Sequence, residues 1–140
     1  MEMNLKLEAA EEPEKGILYR NLIGALLYLA NGTRQDVSFA VNYLSRLQNG
    51  YTQTHFKYAL RVLKYLYRTK NLTLNYEINS NEALEAYVDS DWAADSADRK
   101  STTGIVIRVF GNPIMWKTTK QKVVARASTH AEFYALAYCV

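Results

Sequence analysis

The sequence is poor in the residues that build disulfides and zinc sites. In 140 residues it has one cysteine, Cys139, and two histidines, His55 and His130. A single cysteine cannot form an intrachain disulfide, which fits a reducing compartment. The three side chains are also too far apart in sequence to suggest a structural zinc site. We therefore set aside the disulfide-stapled and zinc-finger classes of small domain.

Long apolar runs and several common motifs are also lacking. The longest nearly apolar run, Leu22 to Ala30, is shorter than the about 20 residues that cross a bilayer. The first 16 residues have neither the basic nor the apolar region of a secretory signal. The sequence contains no G-x-x-x-x-G-K-[ST], G-x-G-x-x-G or G-x-S-x-G motif of nucleotide-binding proteins and serine hydrolases. We expect a soluble intracellular chain with no membrane partner.

The composition is that of a folded chain with an uneven charge distribution. Apolar residues make up 49% and charged residues 22%, which is typical of globular proteins and argues against wholesale disorder. The net charge is only +3, but residues 1–16 are acidic, so the remainder is distinctly basic. Basic residues cluster at 57–70, 99–100, 108 and 117–126. The length allows one ordinary domain or two small pieces of a larger protein.

Residues 17–70 have the apolar periodicity of helices. A first helix is predicted over Leu18–Ala30, and a second follows the capping-box spacing of Thr33–Asp36 and ends at Gln48–Gly50. Thr52 or Thr54 is expected to cap a third helix. The predicted apolar stripes are Leu22, Ile23, Leu26, Leu27 and Ala30, then Val37, Ala40, Val41, Leu44 and Leu47, then Phe56, Ala59, Leu60, Leu63, Leu66 and Tyr67. This pattern predicts a three-helix bundle.

After residue 71 the period changes from 3.6 to 2, which predicts strands. We expect strands over 72–78, 84–89 and 103–110, and a fourth over 114–116 that 122–127 continues or resumes, with a turn at 111–113. A final helix begins at Ser128-Thr129, and its lack of a C-cap suggests that the chain is a fragment. Asn79-Ser80-Asn81 is the best candidate for a joint. The expected fold is α+β: an acidic flexible N-terminus (1–16), a helical region (17–71) and a sheet with a C-terminal helix (72–140).

The third predicted helix carries four cations on one face. Lys57, Arg61, Lys64 and Arg68 fall within about 60° of one another on a helical wheel, with Tyr58 and Tyr65 alongside. No glutamate stands four residues away to neutralise them. Such a ridge suits contacts to nucleic-acid phosphates. A merely solvated helix face is the alternative that the sequence leaves open.

Two aspartates end one predicted strand. Asp89 and Asp91 are two residues apart, so they share a face, where a carboxylate pair can hold Mg²⁺. Glu132, near the start of the last helix, is the candidate for the further carboxylate. Glu132 can equally complete a capping box with Thr129, and strand-end aspartates are common. We interpret His55 as a first-turn surface residue, Cys139 as a core residue, and Trp92 and Trp116 as packing anchors.

Six blocks of the sequence, in order and at the same spacing, resemble the Pol polyproteins of copia-type LTR retrotransposons. The blocks are YRNLIGALLYL (19–29), TRQDVSFAV with LSR (33–41, 44–46), RVLKYL (61–66), YVDSDWA (87–93), DRKSTTG (98–104) and STHAEF (128–133). Together they cover about residues 17–140. The first three resemble the region after the reverse-transcriptase palm, and the last three resemble the N-terminal half of the ribonuclease H domain.

The resemblance implies a thumb-like role for residues 17–71 and a ribonuclease H-like fold for 72–140. It makes Asp89 the first catalytic carboxylate and Glu132 the second, with Asp91 a secondary metal ligand. The implied chemistry is two-metal hydrolysis of the RNA strand of an RNA–DNA hybrid, with Mg²⁺ or Mn²⁺. The implied partners are an RNA–DNA hybrid or template–primer duplex and the rest of the polyprotein, contacted through the ridge cations and through Arg99 and Lys100. A cytoplasmic location in virus-like particles is expected, with the nucleus as the alternative.

The sequence departs from the family pattern at Gln35, Ala94 and His130, where Pro, Gly and Glu are usual. It also lacks the palm and the two later catalytic carboxylates. We therefore expect a truncated or degenerate copy that is inactive alone. The competing hypothesis is a non-catalytic remnant that binds nucleic acid or has no function.

Overall fold

The structure is a computed structural model that describes residues 7–77, 83–95 and 98–139. The chain divides into two units, Met1–Leu74 and Asn75–Val140. The first contains α1 (Tyr19–Gly32), a 3-10 turn (Gln35–Val37), α2 (Ser38–Ser45) and α3 (Gln53–Arg68). The second contains β1 (Leu84–Asp91), β2 (Thr102–Val109), β3 (Asn112–Lys120) and α4 (Ser128–Cys139). The α+β class predicted from the change of period is confirmed.

The core of the first unit forms where α1 packs against α2 and α3. Ile23, Leu26 and Ala30 of the predicted stripe of α1 are buried there. Tyr19 is also fully buried: its hydroxyl donates to the carbonyl of Leu44 at 2.8 Å, and its ring stacks on Tyr51 at 5.0 Å. The burial of Tyr19 could not be predicted from periodicity, which does not show that a phenol has a hydrogen-bond acceptor.

The start of α3 agrees with the sequence in one respect and differs in another. Thr52 caps the helix, as predicted, and the third helical residue completes a capping box. That residue is His55, whose Nδ1 accepts the backbone N–H of Thr52 at 2.9 Å. His55 is 3% exposed, so its assignment as a surface residue was wrong. The capping box predicted at Thr33–Asp36 is absent, because Thr33 instead ends α1 by donating its N–H to Leu29.

The buried face of α3 is rotated from the predicted one. His55, Ala59 and Leu66 are buried, whereas Leu63 is 41% and Tyr67 72% exposed. Val62 packs against the core although the predicted stripe omitted it. The face opposite these buried residues remains polar and charged.

Part of the acidic N-terminus is attached to the helical unit. The backbone N–H groups of Ala10 and Glu14 donate to the carbonyls of Gly50 and Tyr51, each at 2.9 Å. The Leu7 N–H donates to the Tyr43 hydroxyl at 3.1 Å. The described part of the predicted flexible N-terminus is therefore bound along this unit by regular hydrogen bonds.

In the second unit three antiparallel strands lie in the order β1-β2-β3. β2 and β3 join through a two-residue turn at Phe110-Gly111, where φ is 47° and 82°; this is the left-handed geometry of tight hairpins. The turn shares only Gly111 with the predicted turn at 111–113, because Asn112 and Pro113 already belong to β3.

One predicted strand and the predicted continuation of another do not form. Residues 72–77 have no strand conformation, and Leu72 and Tyr76 are each 59% exposed. Residues 121–127 are likewise irregular after β3 ends at Lys120. The last residue of the first predicted strand, Ile78, and the proposed joint at 79–81 lie outside the described residues.

The last helix packs on the sheet through small side chains. Ala131 and Ala135 of α4 are fully buried, and α4 contacts β1 and β2. The Gln121 side-chain amide donates to Thr103 Oγ1 and to the Ala131 carbonyl, each at 3.0 Å, and so connects sheet and helix. Within the described part of the chain, no helix has the length and hydrophobicity needed to cross a membrane.

Candidate nucleic-acid interface and carboxylate positions

The cationic ridge, defined as Lys57, Arg61, Lys64 and Arg68, lies on the exposed side of α3. All four side chains are exposed, and the buried residues of α3 lie on the opposite side. The 16 residues of α3 include no aspartate or glutamate. Tyr58 is half-buried and Tyr65 is 43% exposed beside the ridge. The helix thus presents four cations on its exposed side.

A buried arginine fixes the C-terminal end of α3. The Arg34 guanidinium donates to both carboxylate oxygens of Asp36, at 2.9 and 2.7 Å. It also donates to the carbonyl and hydroxyl of Thr69, at 3.2 and 2.7 Å. Thr69 is the residue that ends α3, so Arg34 holds the end of the ridge against the 3-10 turn. The hydrogen bond from Arg34 keeps the pKa of the Asp36 carboxyl below its ordinary value.

The sequence pattern around Arg34 and Asp36 predicts only a helix cap. An arginine two residues before an aspartate predicts a local ion pair. It does not predict that a threonine far away in sequence also accepts hydrogen bonds from the arginine. The arrangement depends on how α1 and α3 pack, because Thr69 is 35 residues away in sequence.

Asp89 is the third residue from the end of β1 and pairs with Gly104 of β2. That register runs without a shift from Leu84 to Asp91, so the residues of β1 alternate regularly between the two faces of the sheet. Val88 borders a depression whose other walls are residues of α4, so Val88 faces α4. Asp89, its neighbour, is exposed on the opposite face.

Asp91 has a structural partner. Its carboxylate accepts the backbone N–H of Thr102, the residue with which it pairs at the end of the β1–β2 ladder. This bond closes the ladder at the point where β1 stops. The structure thus gives Asp91 a role in ending the strand pair.

Glu132 faces the depression beside α4. The depression has a volume of about 480 Å³ and is lined by Val88, Ser128, Thr129, Glu132, Phe133 and Leu136. Because α4 begins at Ser128, Thr129 is already inside the helix and is not placed as an N-cap for Glu132. The capping-box alternative for Glu132 is therefore not what the structure has.

The structure does not bring the predicted carboxylates together. Glu132 lies on the α4 side of the sheet, and Asp89 and Asp91 lie on the other side. Among the residues that the structure describes, no group of three His, Cys, Asp or Glu side chains is placed to hold a metal ion. Mg²⁺ needs hard oxygen ligands around a single point. The predicted set of Asp89, Asp91 and Glu132 does not fit a shared ion in this structure.

Arg99 and Lys100 lie in the loop between β1 and β2. Arg99 is exposed with a φ of 58°, and Lys100 pairs with Asp98 at 3.6 Å. Lys120 also pairs with Asp98, at 2.9 Å, and its hydrogen bond lowers the pKa of that carboxyl. Local acids thus offset much of the positive charge of this loop.

Comparison with known proteins gives relatives over most of the chain. It is 41% identical over 119 residues to the retrovirus-related Pol polyprotein from transposon RE1 of Arabidopsis thaliana, covering 85% of this chain and 8% of that protein. It is 32% identical over 139 residues to the Pol polyprotein from transposon TNT 1-94 of Nicotiana tabacum, covering 96% of this chain and 10% of that protein. The secreted RxLR effector protein 161 of Plasmopara viticola is 36% identical over 122 residues, covering 87% of this chain and 86% of that protein.

No family model and no solved structure matches the chain. The sequence relatives therefore carry the assignment. The chain spans less than a tenth of the first polyprotein and about a tenth of the second. On these identities, the chain belongs to the family of retrovirus-related Pol polyproteins of copia-type transposons.

Proposed function

We propose that this chain is the segment of a copia-type Pol polyprotein that binds the phosphate backbone of an RNA–DNA hybrid or template–primer duplex through α3. The observation that carries the proposal is the cationic ridge: four exposed cations on one face of a helix that has no acidic residue. In the parent protein the helical unit would act as a reverse-transcriptase thumb.

The dimensions of the ridge support this proposal. From Lys57 to Arg68 the helix rises about 16 Å, at 1.5 Å per residue. Phosphates of one duplex strand recur about every 3.4 Å along the axis, so the ridge spans about four to five of them. Lysine and arginine contacts to phosphates position a protein on a duplex without reading its sequence. We therefore propose binding that depends on salt and is largely independent of sequence.

The test replaces all four ridge cations with glutamine in the full chain. If each contacts a phosphate, the slope of log K against log salt should fall by about 3 to 4 units for a labelled RNA–DNA hybrid. The matched control replaces four exposed cations outside α3 and the N-terminal segment, Arg20, Lys117, Lys122 and Arg126, with glutamine. Both variants lose four positive charges, so a difference between them reports position and not net charge. An unchanged slope in the ridge variant would mean that the ridge is only a solvated face.

For the second unit we propose a ribonuclease H-like identity that concerns the intact parent. Asp89 lies on the first strand and Glu132 on the first helix after the sheet, which is the order that the sequence resemblance implies. Hydrolysis of hybrid RNA, its Mg²⁺ and the remaining carboxylates belong, in this proposal, to the polyprotein with its other segments as partners. The chain alone is proposed to be inactive, since among its described residues no group of three His, Cys, Asp or Glu side chains is placed to hold a metal ion.

A further inference from the structure

The acidic strap, defined as residues 7–16, is attached to the helical unit by backbone hydrogen bonds. Backbone N–H groups of Leu7, Ala10 and Glu14 donate to acceptors of that unit. At Gly50 the strap comes so close that a Cβ would lie 2.1 Å from the Ala10 carbonyl oxygen. Glycine at this position leaves the room that the strap occupies.

The strap ends in line with the cationic ridge. The Glu14 carboxylate accepts the backbone N–H of Gln53 at 2.7 Å. Gln53 is the first residue of α3 and stands four residues before Lys57, so it lies on the same stripe of the helix. The rise between these two residues is about 6 Å. A carboxylate of the strap is therefore fixed at the N-terminal end of the ridge.

The charge of the strap is opposite to that of the ridge. Residues 7–16 contain four glutamates and one lysine, which gives a charge of −3. Glu11 and Glu12 are exposed and lie two or three residues from Glu14, within about 10 Å along the chain. With the further rise of about 6 Å from Gln53 to Lys57, these charges lie roughly 15 to 20 Å from the first cation of the ridge. The Debye length grows from about 10 Å at 0.1 M salt to about 30 Å at 0.01 M, so at low salt the two glutamates act on that cation and on a phosphate beside it.

We propose that the acidic strap is an autoinhibitory contact that lowers the affinity of the cationic ridge for nucleic-acid backbone. The inference rests on the proposed function, because it needs the ridge to bind phosphates. The docked strap both offsets positive charge at one end of the ridge and repels phosphates approaching there. Displacing the strap, or removing its charge, strengthens binding.

The test neutralises the strap without undocking it. Glu11→Gln/Glu12→Gln leaves the Glu14 bond and the backbone bonds of the strap in place. We expect binding to a labelled RNA–DNA hybrid to tighten about three-fold to ten-fold at about 50 mM salt and the gain to vanish at about 500 mM, because salt screens interactions over such distances. The charge-matched control, Glu77→Gln/Glu85→Gln in the second unit, should stay within about two-fold of the native chain.

Repeating the strap substitutions in the four-glutamine ridge variant separates this inference from the proposed function. The inference predicts that the gain disappears there, because the strap acts through the ridge. A strap variant that matches its control, or a gain that persists without the ridge cations, would overturn the inference. If the ridge variant loses binding but the strap variant matches its control, the proposed function stands and the inference fails. If the ridge variant binds as well as the native chain, the proposed function and the inference both fail.

Discussion

The imidazole of His55 completes the N-terminal cap of α3. Its Nδ1 accepts the Thr52 N–H, and burial lowers the pKa of the imidazole. The second influence, a hydrogen bond with the backbone of Glu8, acts in the opposite direction. The neutral form therefore caps α3, and a protonated Nδ1 has no lone pair left for that bond.

We expect the helical unit to lose stability as the pH falls through the range below about 6.5. The unfolded state binds a proton near the ordinary histidine pKa, while the folded state resists it, so stability is fully present above that value. Losing the cap typically costs about 1 kcal/mol. Urea unfolding of the native chain at pH 7.5 and 5.5 measures the change in the free energy of unfolding, with hydrogen exchange in α3 as the probe. In His55→Gln, which keeps a side-chain acceptor but does not titrate, stability should be nearly flat over this range.

The titration of Asp36 does not contribute to the stability change between pH 7.5 and 5.5. Its hydrogen bond with Arg34 lowers its pKa, so its contribution is present above about pH 4 and is lost only in more acid solution. A pH dependence in His55→Gln equal to that of the native chain would show that another group is responsible.

Gly50 and Gly24 form a matched pair of glycines for the strap. At Gly50 a Cβ would meet the Ala10 carbonyl, whereas at Gly24 it would meet nothing within 4 Å. Gly50→Ala should displace the strap, cost about 1 to 3 kcal/mol and speed hydrogen exchange at Ala10 and Glu14. Gly24→Ala, inside α1, should instead stabilise the chain by up to about 1 kcal/mol. Equal exchange rates in the native and Gly50→Ala chains would contradict the close approach.

At the scale of elements, the Arg34–Asp36 pair joins the 3-10 turn to the end of α3. The Arg34 side chain is 10% exposed and Asp36 is 32% exposed, so the pair is partly screened by water. Asp36→Asn leaves the nearly buried guanidinium without its counter-charge, and we expect a loss of about 1 to 2 kcal/mol. Both tryptophans lie in the second unit, so hydrogen exchange in α3 rather than tryptophan fluorescence reports this loss.

The matched control for that prediction is Asp98→Asn in the second unit. Asp98 also forms ion pairs, but its side chain is 39% exposed and its partner Lys120 retains Asp95. Its loss should cost less than about 1 kcal/mol. Equal costs for the two variants would mean that burial of Arg34 has no energetic consequence.

The elements show which parts of the fold local sequence determines. Helices were predictable because each satisfies its own hydrogen bonds, and an apolar stripe suffices to dock it, as in α1. A strand needs a partner, and Leu72 and Tyr76 alternate correctly but remain exposed without one. The buried face of α3 differs from the predicted stripe because it includes His55, whose polar side chain an apolar pattern does not count, and Val62, which packs against the core.

The same contrast between local and long-range determinants separates the ridge from the carboxylates. The position of the four cations depends only on helical periodicity, so the sequence sufficed to place them on one exposed face. A site shared by Asp89 and Glu132 depends on which face of the sheet α4 covers. That face is determined by the burial of Ala131 and Ala135, which the sequence alone does not reveal.

At the scale of the whole molecule, the separation of the carboxylates predicts that this chain does not cleave RNA–DNA hybrids. Two-metal hydrolysis needs carboxylates that hold both ions about 4 Å apart, and here the sheet lies between Asp89 and Glu132. The assay is release of labelled RNA from a hybrid in Mg²⁺ and in Mn²⁺ by the native chain and by Asp89→Asn. We expect no release above background from either. Mg²⁺ titration followed by NMR should also give no common saturation curve for signals near the two carboxylates. Cleavage by the native chain that disappears in Asp89→Asn would show that the two side chains meet in solution, and it would restore an active site to this chain.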